Sequence, residues 1–186
     1  MKDGKKITAS REESTSYMNQ TLPMRESFDL IQRDLMIGER MASFYFINGL
    51  NKDDDMLKLM DALLKIKKED MPAGILQFME MAIPYTEVEL IEDFDQVLKN
   101  LFSGVTCLFV DGYEGAIAID CRTYPARSVE EPDKDKSLRG SRDGFVETVV
   151  SNTAMIRRRI RSCLLYTSDA ADDRIRVDLG GRRIIK

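Results

Sequence analysis

The sequence predicts a mixed α+β fold, an α/β arrangement in which a small mixed sheet is flanked by helices and followed by the start of a second α/β subdomain. Three observations lead there. Short apolar segments come in pairs around tight turns, at 28–37 with 42–47 and at 105–110 with 115–120, which is the pattern of β-hairpins. Between them lie stretches at 51–68 and 94–102 whose apolar residues recur at helical spacing. A polar stretch at 122–138, carrying Pro125 and Pro132, then separates this part from a last helical pattern that ends in arginines.

Taken in order, residues 1–25 are polar and read as a flexible or partly helical lead. Residues 26–121 form the first subdomain. Its first two strands turn at Gly38-Glu39, and the second ends at Asn48-Gly49. Phe44, Tyr45 and Phe46 are assigned to sheet packing rather than to a ligand-facing patch. The helix at 51–68 starts on Asp53, Asp54 and Asp55, where acids suit the helix dipole. It closes on Lys65, Lys67 and Lys68, with Pro72 beyond. A short helix at 73–82 stops before Pro84, and a strand follows at 87–92. The helix at 94–102 carries Phe94, Val97, Leu98, Leu101 and Phe102 on one face, with Gly104 just past its end. The second hairpin has nearly continuous apolar arms, so it belongs in the middle of the sheet with both faces covered. A four-residue loop places Cys107 opposite Ala118 and keeps Cys107 apart from Cys121, so both thiols are expected to be reduced.

The least generic segment is 139–161, RGSRDGFVETVVSNTAMIRRRIR. It begins with a turn holding Arg139, Gly140, Arg142 and Gly144. It continues as a helix from Phe145 to Ile160 and ends in Arg157, Arg158, Arg159 and Arg161. Two glycines and two arginines before a helix suggest a phosphate cradle. The Walker spacing, its lysine and the dinucleotide glycine pattern are all absent, so a clasp onto acids such as Glu130, Glu131 and Asp133, or onto a partner subunit, is preferred. Arg157, Arg158 and Arg159 are candidate contacts for phosphate or anionic lipid head groups. Asn152 stands among apolar neighbours and is a candidate hydrogen-bonding contact across a subdomain boundary.

The wording of this segment, together with the YPARSVEEPDKDK that precedes it, resembles the spore germination protein family that includes the A subunits of germinant receptors. Upstream pieces agree in order: Ser27-Phe28-Asp29, Arg33-Asp34-Leu35, Phe44 to Gly49, Leu101-Phe102-Ser103-Gly104, and Leu108-Phe109-Val110-Asp111. The resemblance implies a soluble N-terminal region, on the cytoplasmic side, of a spore inner-membrane protein. It implies a non-enzymatic role in an ion-releasing germination assembly, with other subunits of that complex as partners in an oligomer and no cofactor. Within the family the alternative is a nutrient-sensing A subunit.

Residues 163–186 read CLLYTSDAADDRIRVDLGGRRIIK, and two blocks of this segment resemble a translated sequencing adapter in the correct order. They are expected to be read-through rather than native sequence and are set aside from the fold prediction. Residues 139–162 are then the truncated start of the second subdomain.

Without the tail the chain holds 23 basic residues, five fewer than the whole chain's 28, and 28 acidic residues, four fewer than 32, for a net charge of −5. That balance argues against a general nucleic-acid binder. The chain has no histidine, which removes Ser-His-Asp and Cys-His nucleophile schemes and histidine-bound metals. The N-terminal stretch lacks the apolar core of a signal peptide. No run reaches the roughly 18 apolar residues that a membrane-crossing helix needs. The rival from another class is a soluble nucleotide- or phosphate-binding regulator working through Arg139 and Arg142. An enzyme is the least supported reading.

Overall fold

The computed structural model describes residues 5–83, 87–123 and 145–167. The first hairpin joins β1 (Leu30–Ile37) to β2 (Arg40–Ile47) in full antiparallel register, from Leu30 opposite Ile47 to Ile37 opposite Arg40. The second joins β4 (Thr106–Val110) to β5 (Ala116–Ile119), with Cys107 opposite Ala118 as the loop length predicts. With β3 (Val88–Ile91) they form one sheet in the order β1-β2-β4-β5-β3, and all four pairings are antiparallel. The mixed α+β class holds, and no parallel pair occurs among the described strands.

Alternation along the strands splits the core in two. Tyr45, Ile47, Cys107, Phe109, Ala116 and Ala118 face α1 (Arg11–Thr21) and α4 (Phe94–Phe102). Ala42, Phe44, Leu108, Val110, Ile117 and Ile119 face α2 (Asp53–Leu64) and α3 (Ile75–Ala82). Every residue of β4 and β5 is buried, so the central position read from their apolar runs is the one they occupy. Phe44 and Tyr45 are buried on opposite faces of β2, which makes them packing residues.

Local chemistry sets the helix ends. Asp93 caps α4 by accepting from the Gln96 amide at 2.8 Å. Gly104 follows with a φ of +96°. α2 is shorter than its sequence pattern suggests: it leaves the α-helix at Lys65, and a separate 3-10 turn follows at Lys68–Asp70. The described part of the N-terminal lead is built into the domain. Lys6 bridges to Asp93, Ser10 caps α1, and Met18 is fully buried.

The last helix, α5 (Val149–Ile160), starts four residues later than predicted. The Asn152 side chain accounts for the delay. It accepts from the Val146 amide at 2.8 Å and donates to the Val146 carbonyl at 2.6 Å, holding 145–148 out of the helix. Among the described residues no helix is long and apolar enough to cross a membrane.

Candidate functional site: the seat of helix α5

Only two residues of α5 are buried, Ala154 and Arg157. A twelve-residue helix is marginal alone in water, so what it meets decides whether it stays. Ala154 joins the core between the sheet, α1 and α4. Arg157 is the largest fully buried side chain among the described residues. Its Nε donates to Asp29 Oδ2 at 2.8 Å and its Nη2 to Asp29 Oδ1 at 2.7 Å. Both side chains are sealed from solvent. The paired, planar geometry is the one that offsets the cost of removing both charges from water.

Asp29 sits just before β1, and its carbonyl accepts from the Asn48 amide at 2.8 Å. This fixes the carboxylate beside the end of β2. The turn there continues into Gly49, with a φ of +86°. A Cβ on Gly49 would lie 2.9 Å from Val150 Cγ1 and 3.2 Å from Ala154 Cβ. Glycine is therefore needed twice, for the backbone angle and for the close approach of α5. The Arg157 guanidinium carbon is 5.8 Å from the centre of the Phe102 ring at the end of α4. Three separated pieces of sequence, Ser27-Phe28-Asp29, Asn48-Gly49 and Leu101-Phe102, thus meet under one helix.

Residues 162–167 lie over the pair. Arg157 Nη1 donates to the Leu165 carbonyl at 3.0 Å and to the Ser162 carbonyl at 3.4 Å. Thr167 Oγ1 donates to Asp29 Oδ1 at 2.7 Å and accepts from the Phe28 amide at 3.1 Å. Part of the segment read as adapter therefore packs here. Helix α5, in the segment expected to open a second subdomain, packs through Ala154 on the sheet, α1 and α4.

Arg157 does not belong to an exposed anion-binding tip as predicted; it turns inward to Asp29. Arg158, Arg159 and Arg161 remain at the surface. Asn152 does not reach across a boundary, because both ends of its amide close on Val146. Arg139, Gly140, Arg142 and Gly144 lie outside the described residues, as do Glu130, Glu131 and Asp133. Asp29 is the residue of this seat that the site prediction lacked. Its partner carried a readable signal, since Val150, Ala154 and Arg157 share one helix face at i, i+4 and i+7.

A second polar cluster anchors α1. Arg11 Nη1 donates to Ser43 Oγ at 2.7 Å, and Ser43 Oγ donates to Asp34 Oδ1 at 2.6 Å. Burial pushes the Asp34 carboxyl up, but hydrogen bonds from Ser43 and Gln32 and the charge of Arg11 outweigh it, and the pKa is lowered. This serine has no histidine to take its proton, because the chain contains none. Burial lifts the Cys107 thiol to about 12. Burial, with the charges of Asp55 and Asp120 adding, lifts Cys121 to about 11, so both stay protonated and unreactive near neutral pH. Among the described residues no three His, Cys, Asp or Glu side chains are grouped to hold a metal ion.

Comparison with known proteins agrees with the family wording. A family profile described as Bacillus/Clostridium GerA spore germination protein matches residues 16–171. Stage V sporulation protein AF of Bacillus subtilis (strain 168) is 36% identical over 165 residues, covering 88% of this chain and 31% of that protein. Spore germination protein KA of the same strain is 30% identical over 144 residues, covering 75% of this chain and 26% of the relative. An uncharacterized membrane protein of that strain, YfkQ, is 25% identical over 145 residues, covering 77% of this chain and 28% of its own length. This chain therefore spans less than a third of the length of these relatives. The crystal structure of the N-terminal domain of the A subunit of the Bacillus megaterium spore germinant receptor GerK3 superposes with a TM-score of 0.66 at 20% identity. It covers 89% of this chain and 60% of that one, a likeness of fold. The family profile and the curated relatives together show that this chain belongs to the GerA family of spore germination proteins.

Proposed function

We propose that this chain is the N-terminal region of a spore inner-membrane germination protein of the stage V sporulation protein AF type. In this reading it acts without catalysis, on the cytoplasmic side, as part of an oligomeric assembly that releases ions when spores germinate. The observation that carries the reading is the 36% identity to that protein over 88% of the chain. The chemistry of the described residues supports a scaffold rather than a reaction centre, because their buried ion pair seats α5. Other subunits of the complex are the partners. Arg158, Arg159 and Arg161 are the side chains offered to a partner's acids or to anionic lipid head groups. The Arg139–Gly144 loop is kept as a clasp, and nucleotide or phosphate binding there is the rival.

The second reading within the family is a nutrient-sensing A subunit, favoured by the 30% identity to spore germination protein KA. One experiment separates the two. Spores lacking this gene are exposed in turn to several chemically distinct nutrients, and ion efflux is followed by conductivity. The proposed role predicts slowed efflux with every nutrient. Loss of the response to one nutrient class, with the others normal, would instead establish the receptor subunit.

A further inference from the structure

We propose that the Asp29–Arg157 pair is a latch, and that α5 is a strap with two positions, seated on the sheet or lifted from it as one unit. Four features of the seat lead to this.

First, α5 has little else to hold it. It buries only Ala154 and Arg157, while Val149 is 64% and Ile160 is 52% exposed. Second, the pair makes partial release unfavourable. Moving Arg157 slightly breaks the paired hydrogen bonds between two charges held out of water, and the single contacts left to Thr167, Ser162 and Leu165 do not replace them, which is worse than either the closed pair or two hydrated charges. A contact with that property switches rather than yields gradually.

Third, the strap carries its own ends. The Asn152 side chain binds Val146 on the same segment, and the Arg161 amide donates to the Arg157 carbonyl at 2.9 Å. Neither end of the helix depends on the sheet for its cap, so lifting need not unwind it. Fourth, the seat stands without the strap. The Asp29 backbone is tied to Asn48, and Gly49 continues a strand end that pairs with β1. Beyond the helix, Leu165 and Thr167 are tied to 26–28 as well, by the Thr167 amide to the Glu26 carbonyl, the Ser27 hydroxyl to the Leu165 carbonyl and the Phe28 amide to Thr167 Oγ1, so that end stays attached while the contacts to Asp29 and Arg157 open with the latch.

Hydrogen exchange on the full chain tests this. In the wild type, amides of α5 should exchange through an opening that leaves β4 amides protected. Asp29→Asn should speed α5 exchange by about tenfold or more without changing β4. Arg157→Lys, which keeps the charge but loses the fork, should give a smaller change in the same direction. The reversed pair, Asp29→Arg with Arg157→Asp, should recover part of the protection. A common exchange rate for α5 and β4 in the wild type would overturn the proposal. So would an Asp29→Asn variant that leaves α5 unchanged or accelerates both elements equally. If Asp29→Asn does not fold, Arg157→Lys is judged by the same comparison of α5 with β4.

Discussion

Two helices lie against the same core, α1 near one end of the chain and α5 near the other, and each carries an arginine that reaches an aspartate at the β1 strand. The outcomes differ. Arg11 and Asp34 approach to 3.3 Å with side chains that are 18% and 42% exposed. Arg157 and Asp29 share two hydrogen bonds and no solvent. The segment leading into α1 is also knitted in through its backbone, since the Gly112 amide donates to the Ala9 carbonyl and the Ile7 amide to the Glu92 carbonyl, and the Arg11 amide donates to Asp111 Oδ1. The same two residue types are a trim on one helix and the attachment of the other. Burial makes the difference: exposed pairs contribute about 0–1 kcal/mol, whereas breaking a buried one costs about 3–5 kcal/mol.

The sharpest way to break the comparison is to remove the two arginines in turn. Arg157→Ala should weaken the docking of α5 by about 3–5 kcal/mol, while Arg11→Ala costs about 1 kcal/mol or less. Denaturation followed at α5 and at the sheet measures both, and equal losses would erase the distinction. Gly49→Ala should come next, at about 1–3 kcal/mol for a non-glycine residue at positive φ. Its Cβ also presses on Val150 and Ala154, so a fall in Tm should come with loosening of α5.

The smallest effect is a matter of acidity. The folded Asp34 pKa lies below the ordinary value, so its contribution is complete above about pH 4 and is lost as the pH falls through the lowered value. Asp34→Asn should therefore flatten the acid limb of the stability curve and change little at neutral pH. An unchanged limb would mean that Asp34 is idle.

Legibility in the sequence followed locality. α4 has the predicted bounds because an apolar stripe, an aspartate cap and a terminal glycine all lie within a dozen residues. The β4–β5 register was readable because two apolar arms and a short loop leave few alternatives. The start of α5 was not, because Asn152 competes for the backbone before it. The α5 seat was named in pieces, since its motifs were recognised without the contact that joins them. A run of three arginines reads as a solvated tip, and nothing near Arg157 in the chain announces a partner 128 residues away.

That separation also governs the order of assembly during synthesis. β2 waits for β4 before the sheet can close, with Ala42 finding Val110, and long loops of this kind are slow to form. Asp29 waits longer, until Arg157 has left the ribosome. For that interval the growing chain carries a nearly complete sheet with a hydrated carboxylate at one corner. Only when that interval ends can the corner be dried.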